Sequence, residues 1–457
     1  MAVARNVYQC QTCGGQTPKW AGQCPACNEW NSLVEVATRR VGKPRVGSAE
    51  QPAVQDLAAI GGQVVARTPT GMTELDRVLG GGLVPGSVVL LGGDPGIGKS
   101  TLLLQAAARL AGEDGLQALY VTAEESLQQV SLRARRLGLE TGGLHVLAAT
   151  AVEDVLQRAE ANPYTAVVVD SIQTVYTEAL ESAPGGVAQV RECAARLLRF
   201  AKSRDTCLFL VGHVTKEGTL AGPRVLEHMV DTVLYFESEA SSRYRVIRAT
   251  KNRFGAANEL GIFAMTEQGL REVKNPSAIF LSGHEHDVPG SVVTVIREGS
   301  RPLLIEVQAL VDDSQLGNPR RVGVGLDPNR LAMLLAILHR HAGVPVHQQD
   351  VFVNVVGGVR VGETAADLPV ICAVVSSLRN RPLASRTVVF GELGLSGELR
   401  PVPNGEERLR EANKHGFKRA VIPKANAPRR APKGMDVIPV TNLSAALDAA
   451  LGGGGNA

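Results

Sequence analysis

Two spacings in this 457-residue chain declare a chemistry on their own. The first is GGDPGIGKST, in which Gly93 to Ser100 fit the pattern G-x-x-x-x-G-K-[ST]. Glycines let successive backbone N–H groups turn toward one phosphate, and a helix opening at Lys99 adds the positive end of its dipole. The Lys99 ammonium can then reach the β- and γ-phosphates while the Ser100 hydroxyl meets Mg²⁺. Asp94, Pro95, Gly96, Ile97, Gly98 and Thr101 complete the stretch, and the expected ligand is ATP or GTP. The second spacing is Cys10, Cys13, Cys24 and Cys27, C-x2-C-x10-C-x2-C. Each C-x-x-C turn presents two thiolates to one side, and two such knuckles complete a tetrahedral sulfur site suited to Zn²⁺. Two disulfides are the alternative, and they belong to an oxidising compartment. So small a unit, with few apolar side chains, is expected not to fold without its metal. Trp20 and Trp30 at its tips could pack on the knuckle or stack on a base; packing is favoured, because a tiny domain needs every aromatic.

These groups need scaffolding. From residue 62 to about 270, short apolar runs alternate with helix-length amphipathic stretches: SVVLLGG with KSTLLLQAAARLA, ALYVTAEE with SLQQVSLRARRLG, AVVVDS with AQVRECAARLLRFAKSRD, then CLFLVGHV and DTVLYFE. Continuous apolar strands separated by helices predict a parallel sheet covered on both faces, an α/β fold. Ligands of such sheets sit at the carboxyl ends of the strands, and two of these strands end in acids. AVVVDS delivers Asp170, placed to hold Mg²⁺. YVTAEES delivers Glu124 and Glu125, of which Glu124 is the stronger candidate for orienting the attacking water. The alternative is that one or both simply open the next helix, where acids favour the dipole.

After Pro276 a second α/β unit begins. SVVTVIREGSRPLLIEVQALV reads as a hairpin turning at EGSRP, followed by the helix RLAMLLAILHRHAG, the strand DVFVNVVGG, the helix LPVICAVVSSLRN, the strand RTVVFGELG and the helix EERLREANKHG. VATRRVGKPRVGSAEQPAVQDL loses apolar periodicity and reads as a linker. The expected domains are therefore a zinc-binding unit 1–35, a linker 36–60, a nucleotide-binding domain 61–275, a second α/β domain 276–452 and a tail 453–457.

Hydrophobic content of 44 % with 20 % charged residues is that of a globular protein. No apolar run approaches the ~18 residues that span a bilayer, and MAVARNVYQCQTCGG lacks the apolar segment of a signal peptide. The expectation is a cytoplasmic protein with reduced thiols and no membrane partner. The net charge of +3 is unevenly spread: Arg379 to Lys433 holds 13 Lys and Arg against 5 Glu, a surplus of +8, which leaves −5 for the rest. A solvated basic surface and a track for nucleic-acid phosphates both fit that surplus.

TGMTELDRVLGGGLVPGSVVLLGGDPGIGKSTL, together with AEES and VVVDS, resembles the RecA superfamily, especially its KaiC and DnaB branches. The resemblance implies a nucleotide held between neighbouring subunits of a ring or filament. In KNRFG, Lys251 and Arg253 would then touch the γ-phosphate of ATP bound by Lys99 of an adjacent subunit; an ordinary surface pair is the alternative. His213, ending LFLVGHV, is similar to the superfamily's γ-phosphate sensor, with a structural histidine as the alternative. The following loop TKEGTLAGPRVLEH, with Lys216 and Arg224, corresponds to a region that lines the DNA path, although its composition suits a plain loop equally.

The carboxyl-terminal unit, through FGELGLSGELRPVPNGEERLREANKHGFKRAVIPKAN, resembles the proteolytic domain of Lon. That family uses a Ser–Lys pair. Here Asp367 stands in the serine's place and Glu406 in the lysine's, so an aspartate without an adjacent cation is expected to leave the domain proteolytically inactive. Taken in order, the three parts are similar to a family of bacterial DNA repair ATPases. That resemblance implies a homo-oligomer, a hexameric ring, that loads on single-stranded DNA and branched recombination intermediates and drives branch migration after a RecA-type recombinase has begun strand exchange. An ATP-dependent protease and a KaiC-like signalling ATPase are the competing readings.

Overall fold

The computed structural model describes residues 7–10, 16–17, 19–25, 27–30, 32–36, 66–113, 115–212, 223–237, 243–278, 280–281, 288–315, 318–358 and 360–452. Cys13, His213, Lys216, the expected linker beyond Val36 and the tail 453–457 lie outside these residues. The chain divides into two units, 1–64 and 65–457.

In the first unit, β1 (Val7–Cys10), β2 (Gln16–Thr17) and β3 (Leu33–Val36) form an antiparallel sheet in the order β2-β1-β3. Its small core is Cys10, Cys24 and Leu33 with Cys27 packed against them. Sulfur replaces the apolar side chains that so short a segment lacks.

The second unit carries two large sheets. The first is built from α1 (Thr73–Leu79), β4 (Val88–Gly93), α2 (Lys99–Ala111), β5 (Ala118–Thr122), α3 (Leu127–Arg136), β6 (Leu144–Ala148), α4 (Val152–Glu160), β7 (Ala166–Asp170), α5 (Val187–Arg204), β8 (Cys207–Val211), α6 (Pro223–Glu227), β9 (Thr232–Glu237), β10 (Tyr244–Asn252), β11 (Leu260–Thr266) and β12 (Gly269–Glu272). Nine strands run in the order β12-β11-β10-β9-β4-β8-β7-β5-β6. Side chains alternate between faces with period two. Val89, Leu91, Tyr120, Val168 and Phe209 join α2 and α3 in one core. Val88, Leu90, Leu119, Val167 and Leu208 join α4 and α5 in the other. Four strands, β4, β5, β7 and β8, are buried at every position, as expected where helices cover both faces.

The sheet is not wholly parallel, contrary to the sequence expectation. The six strands from β9 to β6 are parallel, whereas β10, β11 and β12 continue from β9 antiparallel. The connection from Glu237 to Tyr244 is too short for a parallel crossover, which takes a dozen or more residues, so the chain must reverse.

The second sheet follows β13 (Ser291–Glu298), β14 (Arg301–Asp313), β15 (Arg321–Val324), α7 (Pro328–Ala342), β16 (Gln349–Val355), α8 (Asp367–Leu378), β17 (Thr387–Val389), β18 (Glu392–Leu393), β19 (Leu399–Arg400), α9 (Gly405–Lys414), β20 (Arg419–Pro423), β21 (Asp436–Val440) and α10 (Leu443–Leu451). Seven strands take the order β15-β16-β14-β13-β17-β20-β21. The hairpin turns where the sequence placed it, with Glu298 opposite Arg301. Helices α7, α8 and α10 share one core, and α9 closes a second through Leu409 and Ala412.

Arg408 on α9 is 1 % exposed, the largest fully buried side chain among the described residues. Its guanidinium donates to both carboxylate oxygens of Glu363, at 2.8 and 2.7 Å, and to the carbonyls of Val295 and Pro403. Such a group is retained only while every donor is met. Arg408→Met is expected to remove both side-chain bonds to Glu363 and the donor to the buried Val295 carbonyl and to cost about 3 kcal/mol. A urea-unfolding midpoint indistinguishable from that of the unmutated chain would contradict this.

Candidate functional site

The phosphate loop leaves β4 at Gly93 and enters α2 at Lys99. Gly93 has φ 152°, and a Cβ there would lie 2.7 Å from the Phe236 carbonyl; Gly98 has φ 116° and would meet Met265 at 2.9 Å. Both must be glycine. Gly98 is also the helix N-cap and offers no side-chain acceptor, so the free N–H groups of the first turn face the loop's concavity. Pro95 and Gly96 form its exposed tip, Ile97 is buried beneath, and Asp94, Ser100 and Thr101 are half-buried. Lys99 is only 3 % exposed; its Nζ donates to the carbonyls of Gly93 at 2.7 Å and Asp94 at 2.9 Å.

Burial pushes the Lys99 ammonium down to about 8, against the opposing pull of Asp170, Asp94 and Glu124. Those three acids therefore share the space around Lys99. Asp170 ends β7, opposite Thr122 of β5, and its carboxylate accepts the Tyr120 hydroxyl. Burial and that carboxylate hold the Tyr120 phenol well above its ordinary value. Two residues past Thr122, Glu124 accepts the hydroxyl of the fully buried Ser171. Glu125 turns elsewhere: its carboxylate pairs with Arg133 of α3, and its backbone is tied to the Thr122 hydroxyl. Of the two glutamates, Glu124 is the one whose charge acts on Lys99.

Lys251 and Arg253 lie at the other end of the sheet. Phe236 is opposite Gly93, but Lys251 is opposite Val233 and Asn252 opposite Thr232. The Arg253 N–H donates to the Asp231 carbonyl, and the Asp231 N–H to that of Val88. Arg253 is thus level with Val88, five strand residues from Gly93, roughly 16 Å along the sheet. Lys251 Nζ donates to the carbonyls of Glu227 at 2.7 Å and Val230 at 2.8 Å, and burial lowers its pKa. Arg253 is 58 % exposed and reaches Asp231 Oδ1 at 3.3 Å. The structure gathers Gly93–Thr101, Asp170 and Glu124 and holds the two cations apart from them.

Sequence reasoning missed Ser171 and Tyr120. Tyr120 lies two residues before Thr122 on the same face of β5, so period-two reading would have found it; Ser171 directly follows Asp170, and adjacency to that acid was its only signal. Arg245, whose Nε donates to the Ile97 carbonyl at 3.3 Å, had no comparable signal, being 148 residues away in sequence.

In the first unit, the Cys10, Cys24 and Cys27 sulfurs all lie within 4.8 Å of one another, and those of Cys10 and Cys27 are 3.6 Å apart. Two thiolates on a tetrahedral Zn²⁺ at ~2.3 Å are separated by about 3.8 Å, so this donor set fits zinc. Trp20 and Trp30 are 58 % and 69 % exposed. The expectation that they pack is met only in part: the sulfurs and Leu33 fill the core, and the Trp30 ring lies against Gly22 outside it.

The Lon-like unit also departs from its expectation. Asp367 is 2 % exposed and has an adjacent cation, Arg330 of α7, whose Nε donates to Oδ1 at 2.8 Å; the Leu393 N–H adds a third bond. Burial nonetheless raises its pKa. Glu406 is exposed and pairs with Arg410 at 3.1 Å. In the basic stretch, Arg400, Arg408, Arg410 and Lys414 are matched by glutamates.

A glycine loop between strand and helix, acids at neighbouring strand tips, a zinc ribbon before and a Lon-like unit after define a P-loop ATPase with two appended modules. Residues 55–219 match the AAA domain family, residues 8–35 the rubredoxin metal binding domain, and residues 332–426 the subunit ChlI of Mg-chelatase family. The chain is 62 % identical over 452 residues to the DNA repair protein RadA of Pseudomonas aeruginosa, covering 98 % of this chain and 99 % of the relative. It is 55 % identical over 453 residues to the RadA of Escherichia coli, at 97 % and 98 % coverage, and 47 % identical over 461 residues to that of Bacillus subtilis, at 99 % and 100 %. The chain belongs to the RadA family of DNA repair proteins. Among the described residues no helix is long and apolar enough to cross a membrane.

Phosphate binding favours the charged form of Lys99, whereas the free loop releases its proton as pH rises through about 8. Nucleotide affinity is therefore expected to be full below that pH and to fall above it, by at most about tenfold per unit, with proton uptake on binding. Titration calorimetry between pH 7.5 and 9.5 in two buffers of different ionisation enthalpy reads both effects. A flat profile without proton uptake would refute the assignment.

Proposed function

We propose that this chain is a DNA-dependent ATPase of recombinational repair, a hexameric ring that binds single-stranded DNA and branched intermediates and promotes branch migration after RecA-type strand exchange. The observation that carries the reading is the roughly 16 Å of strand between Gly93 and the level of Arg253. If Lys251 and Arg253 act on a γ-phosphate, it is that of a neighbouring subunit, so hydrolysis belongs to the interface and can be coupled to motion.

The geometry and the motifs together support these roles. The first-turn N–H groups of α2 and Lys99 hold the β- and γ-phosphates, and Ser100 and Asp170 orient Mg²⁺, which would neutralise charge on the phosphates. Glu124, steadied by Ser171, orients the attacking water, while Glu125 is occupied by Arg133. Lys251 and Arg253 stabilise the charge that develops on the transferred phosphoryl group. His213 senses the γ-phosphate, and the segment TKEGTLAGPRVLEH, with Lys216 and Arg224, lines the DNA path; its residues Pro223–Glu227 form α6. Domains 61–275 and 276–452 supply motor and scaffold, the zinc unit 1–35 meets a partner, and the whole works in the cytoplasm beside a RecA-type recombinase. The basic residues of 379–433 that lack a glutamate, such as Arg386, Lys418 and Arg429, suit a phosphate track. With Asp367 bound by Arg330 and Glu406 by Arg410, neither serves Ser–Lys proteolysis.

Turnover is expected to rise with single-stranded DNA at low salt, and a rate indifferent to DNA would remove the motor. Glu124→Gln should abolish turnover while retaining ATP binding, whereas Glu125→Gln should keep most of it; equal losses would contradict the assignment. Lys99→Ala and Arg253→Ala should each be inactive alone and recover hydrolysis when mixed. No recovery in mixed rings would end the shared-site reading.

A further inference from the structure

The loop that carries Arg253 runs between β10 and β11, and it does not stand on its own domain alone. On one flank, Asn252 Nδ2 donates to the Val78 carbonyl at 3.1 Å, and Gly80 of the α1 C-cap touches Gly255. On the other flank sits the β13–β14 turn of the Lon-like unit. A Cβ on Gly299 would lie 2.8 Å from the Asn258 carbonyl and 2.9 Å from the Glu259 Cα, so the two backbones are in direct contact. Around that contact, the Ser300 N–H donates to Glu259 Oε1 at 2.7 Å, and Arg248 of β10 pairs with Glu298 at 2.7 Å. Arg301 donates to both oxygens of Glu74, at 3.1 and 2.9 Å. Glu74 also accepts the Ile262 N–H at 3.0 Å, so one buried carboxylate ties together α1, β11 and the hairpin.

These bonds form a closed frame. The residues from Glu298 to Arg301 hold β10 before the finger, through Arg248, and the loop after it, through Asn258 and Glu259. Between these anchors β10 has an irregularity at Ala249–Lys251 that breaks its register with β9. The register with β9 is thus interrupted just before Lys251 and Arg253, and the frame supplies anchors on both sides of that break.

We propose that the hairpin of the Lon-like unit, through Gly299 and the Arg301–Glu74 pair, is a positioning element for Arg253, making hydrolysis in the neighbouring subunit depend on a domain that contains no part of the nucleotide site. The inference rests on the shared-site reading above. Arg301 is a positioning residue and touches no phosphate. The arrangement also assigns a use to the Lon-like fold: a mount whose movement would raise or withdraw the finger that its own subunit offers to a neighbour's nucleotide.

The test is subunit mixing. Arg301→Ala should bind ATP as the unmutated chain does, through its intact Lys99, and hydrolyse it on the order of 10- to 100-fold more slowly, the loss expected of a displaced group. Mixed with Lys99→Ala, whose finger is sound, it should regain turnover; mixed with Arg253→Ala, whose finger is also lost, it should not. A merely unfolded subunit would be rescued by neither. Should Arg301→Ala fail to fold because Glu74 loses its closest ion-pair partner, Gly299→Ala, which displaces the loop without removing a charge, takes the same three measurements. The inference is overturned if the folded variant hydrolyses ATP normally, or if Arg253→Ala rescues it as well as Lys99→Ala does. If Arg253→Ala and Lys99→Ala themselves fail to complement, it is the shared-site reading that has failed.

Discussion

Six parallel strands bring all their carboxyl ends to one edge of a sheet and all their amino ends to the other, and the chemistry of this protein is divided by that polarity. Gly93, Glu124 and Asp170 follow or end β4, β5 and β7 on the carboxyl edge. Strand β10 runs the opposite way, so its own carboxyl end, with Lys251 and Arg253, arrives at the amino edge. A single antiparallel step therefore places the phosphate loop and the Lys251–Arg253 pair at opposite edges of one sheet. Bringing the two edges together within one copy would have to break the sheet.

The carboxyl edge is held together by an electrostatic compromise. Lys99 is almost wholly buried and loses hydration, which by itself disfavours its charge, while Asp170, Asp94 and Glu124 partly restore it. Phosphates entering the loop bring the remaining negative charge the site lacks. The amino edge is organised around Asp231, a buried carboxylate that meets Lys202, Arg253 and the Val88 N–H. Arg253 is bound there by one 3.3 Å contact and is more than half exposed, a restraint weak enough to be exchanged for a phosphate.

The Lon-like unit is fastened by buried and half-buried ion pairs. Asp367 occupies a buried position, yet Arg330 converts it into half of an ion pair that secures α7 to α8. Arg408 does the same for α9 and Glu363. Both ion pairs fix helices of this unit in place, which suits a mount for the hairpin that touches the ATPase loop.

Much of this was legible from residue order. The phosphate loop, the acids at the strand tips, the cysteine spacing, the turn at Gly299 and most strands and helices of both α/β units are local patterns: a period of two or 3.6, a glycine where φ must be positive, a cysteine pair on one turn. Chain order alone fixes such features because neighbouring residues meet whatever the rest of the molecule does. It could not reveal that β10 to β12 extend the sheet antiparallel, that Glu125 belongs to Arg133, that Arg330 lies against Asp367, or that Arg301 binds Glu74 from 227 residues away. Which charge finds which partner depends on strand order and on how two sheets abut, so only the tertiary structure could decide it.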